Sequence, residues 1–129
     1  MTSGTSRKTA RRQALFLLYQ WDLAGGEAEL GAQYAGEIDP WALGIVEAVA
    51  GRAGELDARI TDAAEGWTAD RLGTVERSAL RVAVHELDTH EVPVEVAINE
   101  AVAFAKRYAS EDAARLVNGI LGRIQREAA

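Results

Sequence analysis

Residues 74–121 read TVERSALRVAVHELDTHEVPVEVAINEAVAFAKRYASEDAARLVNGIL, and their spacing decides the fold class. Val94, Ala97, Ile98, Ala101, Val102 and Ala105 recur at three- and four-residue steps, and Leu116, Val117, Ile120, Leu121 and Ile124 do the same further on. That period collects apolar side chains on one face of an α-helix. Pro93 stands where a helix can begin, since the N–H it lacks has no partner in a first turn. Ser110 supplies an N-cap hydroxyl. Three helices follow: one capped by Thr74 and running to about residue 87, one over 93–109 and one over 111–126.

Working outward, the chain before this stretch is also helical. A first helix is expected over 7–24. A Gly-rich connection with Gly25, Gly26, Gly31 and Gly36 comes next, with room for a short helix around 29–35. Asp39-Pro40 pairs an N-cap with proline at the first helical position, and the helix it starts should run to about residue 64. Gly51 and Gly54 are its weak points. Alternation of the strand type is absent over any useful length. The fold class expected is all-α, a bundle of about six or seven helices, and the short connections imply antiparallel neighbours. One domain over 1–129 is expected, with residues 1–6 disordered.

A chain of 129 residues can bury a core without metals or disulfides. It has no cysteine, which excludes disulfides, thiolate metal ligands and a thiol nucleophile. No apolar run approaches the roughly 18 residues that a membrane span needs. MTSGTSRKTARR lacks the apolar core of a secretion signal, so a cytoplasmic protein is the default. No phosphate loop, HExxH or nucleophile–base set stands out, and His85 and His90 lack the companions that a metal or a nucleophile requires. No catalytic residue, metal or cofactor is therefore expected. Trp21, Trp41 and Trp67 are most simply packing residues.

The net charge is −6, but its distribution is uneven. Up to Asp22 there are four basic residues and one acid, whereas from Leu23 to Asp70 ten acids face two arginines. The first helix is therefore the place where contiguous sequence builds a basic patch. At about 100° per residue, Arg7, Lys8, Arg11 and Arg12 share a sector about 140° wide, while Ala10, Ala14, Leu17, Leu18 and Trp21 face inward. Lys8, Arg12, Leu15 and Tyr19 align on one edge. Cations that neutralise phosphates beside a ring that stacks on a base suit single-stranded RNA. The plainer alternative is a solvated helix face with a partly buried Tyr. Asn99 and Asn118 lie in apolar helix stripes, where an amide is costly unless it is hydrogen-bonded. Asn118-Gly119 suggests a close approach of another backbone, so Asn99, Asn118 and Gly119 read as structural.

Three pieces carry a family resemblance: VERSALRVAVHEL at 75–87, VPVEVAINEAVAFAKRYASED at 92–112 and LVNGIL at 116–121. ARRQALFLLYQWD at 10–22 adds a weaker match. Together they resemble the NusB family of bacterial transcription antitermination factors. The resemblance implies two packed three-helix subdomains and no enzymatic activity. It implies binding of boxA RNA together with a small-subunit ribosomal protein, NusE, and recruitment of that pair to transcribing RNA polymerase, notably on ribosomal RNA operons. It places RNA on the basic first helix and the protein partner near Glu76, Asp112 and Leu116. Many relatives are expected to carry Phe where Leu116 stands, so the apolar contact there should be smaller. Glu76 has a second explanation, since an acid in a first turn favours the helix dipole. A NusB-like domain also begins ribosomal RNA cytosine methyltransferases; with the last helix ending just before Ala129, a methyl-donor domain is not expected unless the sequence is a piece of a longer chain.

Overall fold

The structure is a computed structural model that describes residues 6–26 and 36–128. These residues form six α-helices and one 3-10 turn: α1 Arg7–Leu23, α2 Pro40–Gly51, α3 Ala53–Ala63, the turn Ala69–Arg71, α4 Thr74–Thr89, α5 Val94–Tyr108 and α6 Glu111–Ala128. No strand occurs among the described residues, in accord with the all-α reading. The short helix anticipated around 29–35 and the tail at 1–5 lie outside the described residues. Ser6, expected to belong to a loose tail, is instead the N-cap of α1, its hydroxyl accepting from the Thr9 N–H at 3.1 Å.

The chain divides into two compact units, Met1–Gly51 and Arg52–Ala129. The division falls where a single helix was expected. Gly51 ends α2, Arg52 serves as a non-helical N-cap, and α3 starts afresh at Ala53. Glycine's lost backbone entropy makes a helix weakest there.

In the first unit α1 packs on α2. Ala10, Ala14, Leu17 and Leu18 of α1 and Ala42, Ile45, Val46 and Val49 of α2 are buried. The C-terminal end of α1 closes with the Gly26 N–H on the Trp21 carbonyl and the Gly25 N–H on the Asp22 carbonyl. Gly25 has φ +87°, the left-handed conformation this closure requires and one that costs glycine least. Gln13 then fixes the approach to α2. Its amide nitrogen donates to the Glu37 carbonyl at 3.0 Å, and its amide oxygen accepts from the Asp39 N–H at 2.7 Å. Asp39 caps α2 as expected, Oδ1 accepting from the Trp41 N–H at 2.8 Å.

In the second unit α4 touches α3, α5 and α6, and α5 and α6 pack on each other. Six consecutive α4 residues, Leu80 among them, run from Ala79 to Val84 without leaving the core. One of the cap assignments made from sequence differs. Ser110 does cap α6, accepting from the Ala113 N–H at 3.0 Å, but α4 is capped by Gly73 and Thr74 is its first helical residue. The α5 stripe is also rotated: Phe104 is buried with Ala97, Ala101 and Ala105, whereas Val94, Ile98 and Val102 are half-buried.

Polar side chains bind α3 to α4. Arg81, buried in α4, meets Asp57 of α3 with two bonds, Nε to Oδ1 at 2.8 Å and Nη2 to Oδ2 at 2.7 Å. Near the solvent edge Arg52 and Arg59 both donate to Asp88, and Arg52 also meets Glu55 and the His85 Nδ1, the last at 3.0 Å. Burial opposes charge on Asp88, but hydrogen bonds from Arg52 and Arg59 outweigh it and hold the carboxyl below its ordinary range. Burial, and then the Arg52 charge, push the His85 imidazole down, against weaker opposing pulls from Glu91 and Asp88.

Asp57→Ala should cost about 3 kcal/mol, because a buried guanidinium loses its bidentate carboxylate; urea unfolding measures this. For His85 the neutral form is favoured in the fold, so the unfolded chain binds the proton more readily. Its contribution is complete above about pH 6.5 and declines as the pH falls through that value. His85→Gln should therefore flatten the loss of stability that begins as the pH falls below about 6.5, whereas the carboxylate losses set in lower.

Candidate nucleic-acid interface

The four cations of α1 do not form one open face. Arg11 is only 4% exposed. Its guanidinium lies over the Trp41 ring at 5.6 Å from the centroid, and the Arg7 guanidinium lies over the same ring at 4.5 Å. Trp41 is held there by its own helix start, which Asp39 and Gln13 fix. The expected strip of Arg7, Lys8, Arg11 and Arg12 thus divides by role. Arg11 is a packing residue, Arg7 is exposed but engaged with the indole, and Lys8 and Arg12 are exposed with no ion-pair partner among the described residues. Leu15, placed on the outer edge from sequence, is buried at 2% exposure. The helix wheel misassigns these two positions because it knows nothing of where α2 and Trp41 press against α1.

Tyr19 is half-buried and stays at the rim. Two neighbours that sequence reasoning passed over join it: Phe16, 36% exposed, and Leu23, 60% exposed. At about 100° per residue, Lys8, Arg12, Phe16, Tyr19 and Leu23 fall within about 80° of one another. The stripe runs from cations at the helix start to rings and an apolar side chain at its end. Phe16 was detectable, since it follows Arg12 by four residues.

The residues assigned to a protein partner belong to the second unit. Asp112 is exposed in the first turn of α6 and paired with Arg115. Leu116 is half-buried one turn further on. Glu76 folds back at the start of α4, with its carboxylate directly over Gly73, a local role at the helix N-terminus where an acid is favoured. Asn99, Asn118 and Gly119 do not have the structural setting anticipated for them. All three are exposed, and a Cβ added at Gly119 would meet no atom within 4 Å. The close backbone approach expected at Asn118-Gly119 is absent, because this side of α6 faces away from the core.

Among the described residues no group of three or more His, Cys, Asp or Glu side chains could hold a metal ion, and no helix is long and apolar enough to cross a membrane. What these elements define is an all-helical protein whose first helix carries cations with no ion-pair partner among the described residues, beside an exposed Phe16 ring and a half-buried Tyr19 ring.

Comparison with known proteins identifies the class further. The NusB family profile matches residues 8–126, and the chain belongs to the NusB family. It is 43% identical over 121 residues to the transcription antitermination protein NusB of Rubrobacter xylanophilus, covering 90% of this chain and 87% of that one. To the NusB of Salinispora tropica it is 41% identical over 128 residues, covering 92% and 94%. Among solved structures it is similar to T. maritima NusB, with a TM-score of 0.82 at 31% identity over 95% of this chain and 92% of that one. It is also similar to a chain in a crystal structure of the antitermination factors NusB and NusE in complex with dsRNA. There the TM-score is 0.80 at 32% identity, covering 94% and 96%.

The division of roles on α1 has a measurable consequence. Arg11→Ala should destabilise the protein by about 1–2 kcal/mol, through lost packing and cation–π contact with Trp41. Lys8→Ala and Arg12→Ala should stay within about 0.5 kcal/mol of the unaltered protein, as exposed positions do. Thermal unfolding of the three variants checks the ranking.

Proposed function

We propose that this protein is a transcription antitermination factor that binds a boxA-like single-stranded RNA jointly with the ribosomal protein NusE. In this reading it carries the pair to transcribing RNA polymerase in the cytoplasm, notably on ribosomal RNA operons, and works by binding rather than catalysis. The observation that carries the reading is the stripe on α1. Lys8 and Arg12 are exposed with no counter-charge among the described residues, and Tyr19 and Phe16 follow them on the same side. In a chain of net charge −6 such cations stand out, and no ion pair among the described residues has to break for them to neutralise phosphates. Unpaired bases stack on the rings that follow, a mode indifferent to base identity and worth about 1–3 kcal/mol for each base. Arg7 contributes while seated on Trp41, the ring that Arg11 also contacts.

Family membership supports the partner assignment, since NusB and NusE occur together with RNA in a solved relative. Asp112 and Leu116 supply an exposed carboxylate and a half-buried apolar side chain on successive turns of α6, and this pair is our candidate for the NusE contact. Glu76 at the start of α4 completes the candidate set.

Titration of a boxA-like single-stranded RNA at two salt concentrations, with and without NusE, tests the function. The expected result is weak binding alone and tighter binding with NusE. The log–log salt slope of the Lys8→Ala, Arg12→Ala double variant should be shallower by about 0.7 for each phosphate contact removed. Unchanged affinity in a variant of unchanged helicity would rule α1 out as the RNA face.

A further inference from the structure

A groove of about 380 Å³ opens in the second unit between α6 and the segment that follows α3. Ala64 and Trp67 wall one side, and Leu116, Gly119 and Ile120 wall the other. Trp67 is 50% exposed, although an indole is among the side chains that gain most from burial. The charged residues at the groove are Arg115, Arg123 and Arg126 against the single acid Glu65. Arg123 is held by Glu65 and Glu127, and Arg115 by Asp112. Arg126 has no ion-pair partner among the described residues.

Gly119 adds an independent observation. A glycine inside a helix costs stability relative to alanine, and here no neighbouring atom would obstruct a Cβ. The fold therefore gives no reason for it. In the groove it has one effect: the α6 wall carries no side chain at that position, which leaves room on the groove that Trp67 also lines.

We infer that this groove is a second RNA contact, taking one nucleotide with its base stacked on Trp67 over Gly119 and its phosphate on Arg126. The inference rests on the RNA-binding reading and extends it from α1 to the second unit. An exposed indole beside an excess of guanidinium groups suits a flat, anionic ligand. A groove of this size matches one nucleotide and not a folded element. A protein segment reaching past Leu116 is the competing occupant, but an apolar or cationic one would leave Arg126 without a counter-charge.

Anisotropy of a labelled boxA-like single-stranded RNA of about 12 nucleotides tests this, using the full chain with NusE present. Trp67→Ala should weaken binding about tenfold, and Arg126→Gln should make the log–log salt slope shallower by about 0.7. Gly119→Leu should unfold at a higher temperature and yet bind RNA less well, a combination that a purely structural residue would not give. Affinity for NusE measured without RNA should be unchanged in all three. RNA affinity unchanged in all three variants, with the Lys8→Ala, Arg12→Ala variant still impaired, would overturn the groove alone. Loss of NusE affinity in place of RNA affinity would assign the groove to the protein partner and also overturn it. Failure of the unaltered chain to bind the RNA would overturn both the groove and the function it extends.

Discussion

Helix α4 is enclosed on nearly every side by α3, α5 and α6, and that enclosure governs the rest of the second unit. A helix so covered cannot leave its polar side chains to water, and Ser78, Arg81 and Glu86 are all buried. Burying a charge is tolerable only with a partner in good geometry, which is what Asp57 gives Arg81. Arg77 follows the same logic at the helix start, donating to the Ala69 and Leu72 carbonyls at 2.9 and 2.8 Å and so holding the 3-10 turn in place. The Ser78 hydroxyl is the exception, buried with no hydrogen-bond partner. Outside this shell the polar network thins into the Arg52, Arg59 and Asp88 cluster, where solvent shares the work and each pair contributes less.

The first unit depends on a different economy of side chains. One helix supplies the inward contacts, the anchor for the next segment and the outward cations. Successive residues Arg11, Arg12 and Gln13 do three separate things: pack on Trp41, face solvent, and clamp the Glu37–Asp39 backbone. The exposed stripe is therefore oriented by rigid contacts on its reverse side. Binding of a strand there need not order the helix first, which removes one entropic cost of recognition.

Much of this was legible in the sequence, where the signals were local. Asp39-Pro40 and Ser110 marked helix starts because capping is a contact between neighbours in the chain. The apolar period marked helices for the same reason. The break between α2 and α3 was visible only as two glycines. The burial of Arg11 and Leu15, the rotation of the α5 stripe and the Arg81–Asp57 pair depend on which helix lies against which, and periodicity holds no record of that. Asn118-Gly119 shows the opposite failure. An amide and a glycine inside an apolar stripe look like packing devices until α6 is seen to turn them outward. The family resemblance supplied the candidate partner residues, and Phe16 stood in the pattern four residues after Arg12, whereas the Trp67 groove came from exposure alone.

The corner between α5 and α6 bears on how the chain folds as it is made. Ser110 ends one helix, its N–H reaching back to the Ala105 carbonyl, and starts the next with its hydroxyl. Two helices joined this tightly need almost no loop closure, so they can pair quickly once both exist. Yet α6 is also a wall of the enclosure around α4, which is synthesised well before it. Until α6 leaves the ribosome, α4 carries an uncovered apolar face. The second unit is therefore completed late and abruptly, and during translation the interval between α4 and α6 is when the chain is most exposed to misassembly.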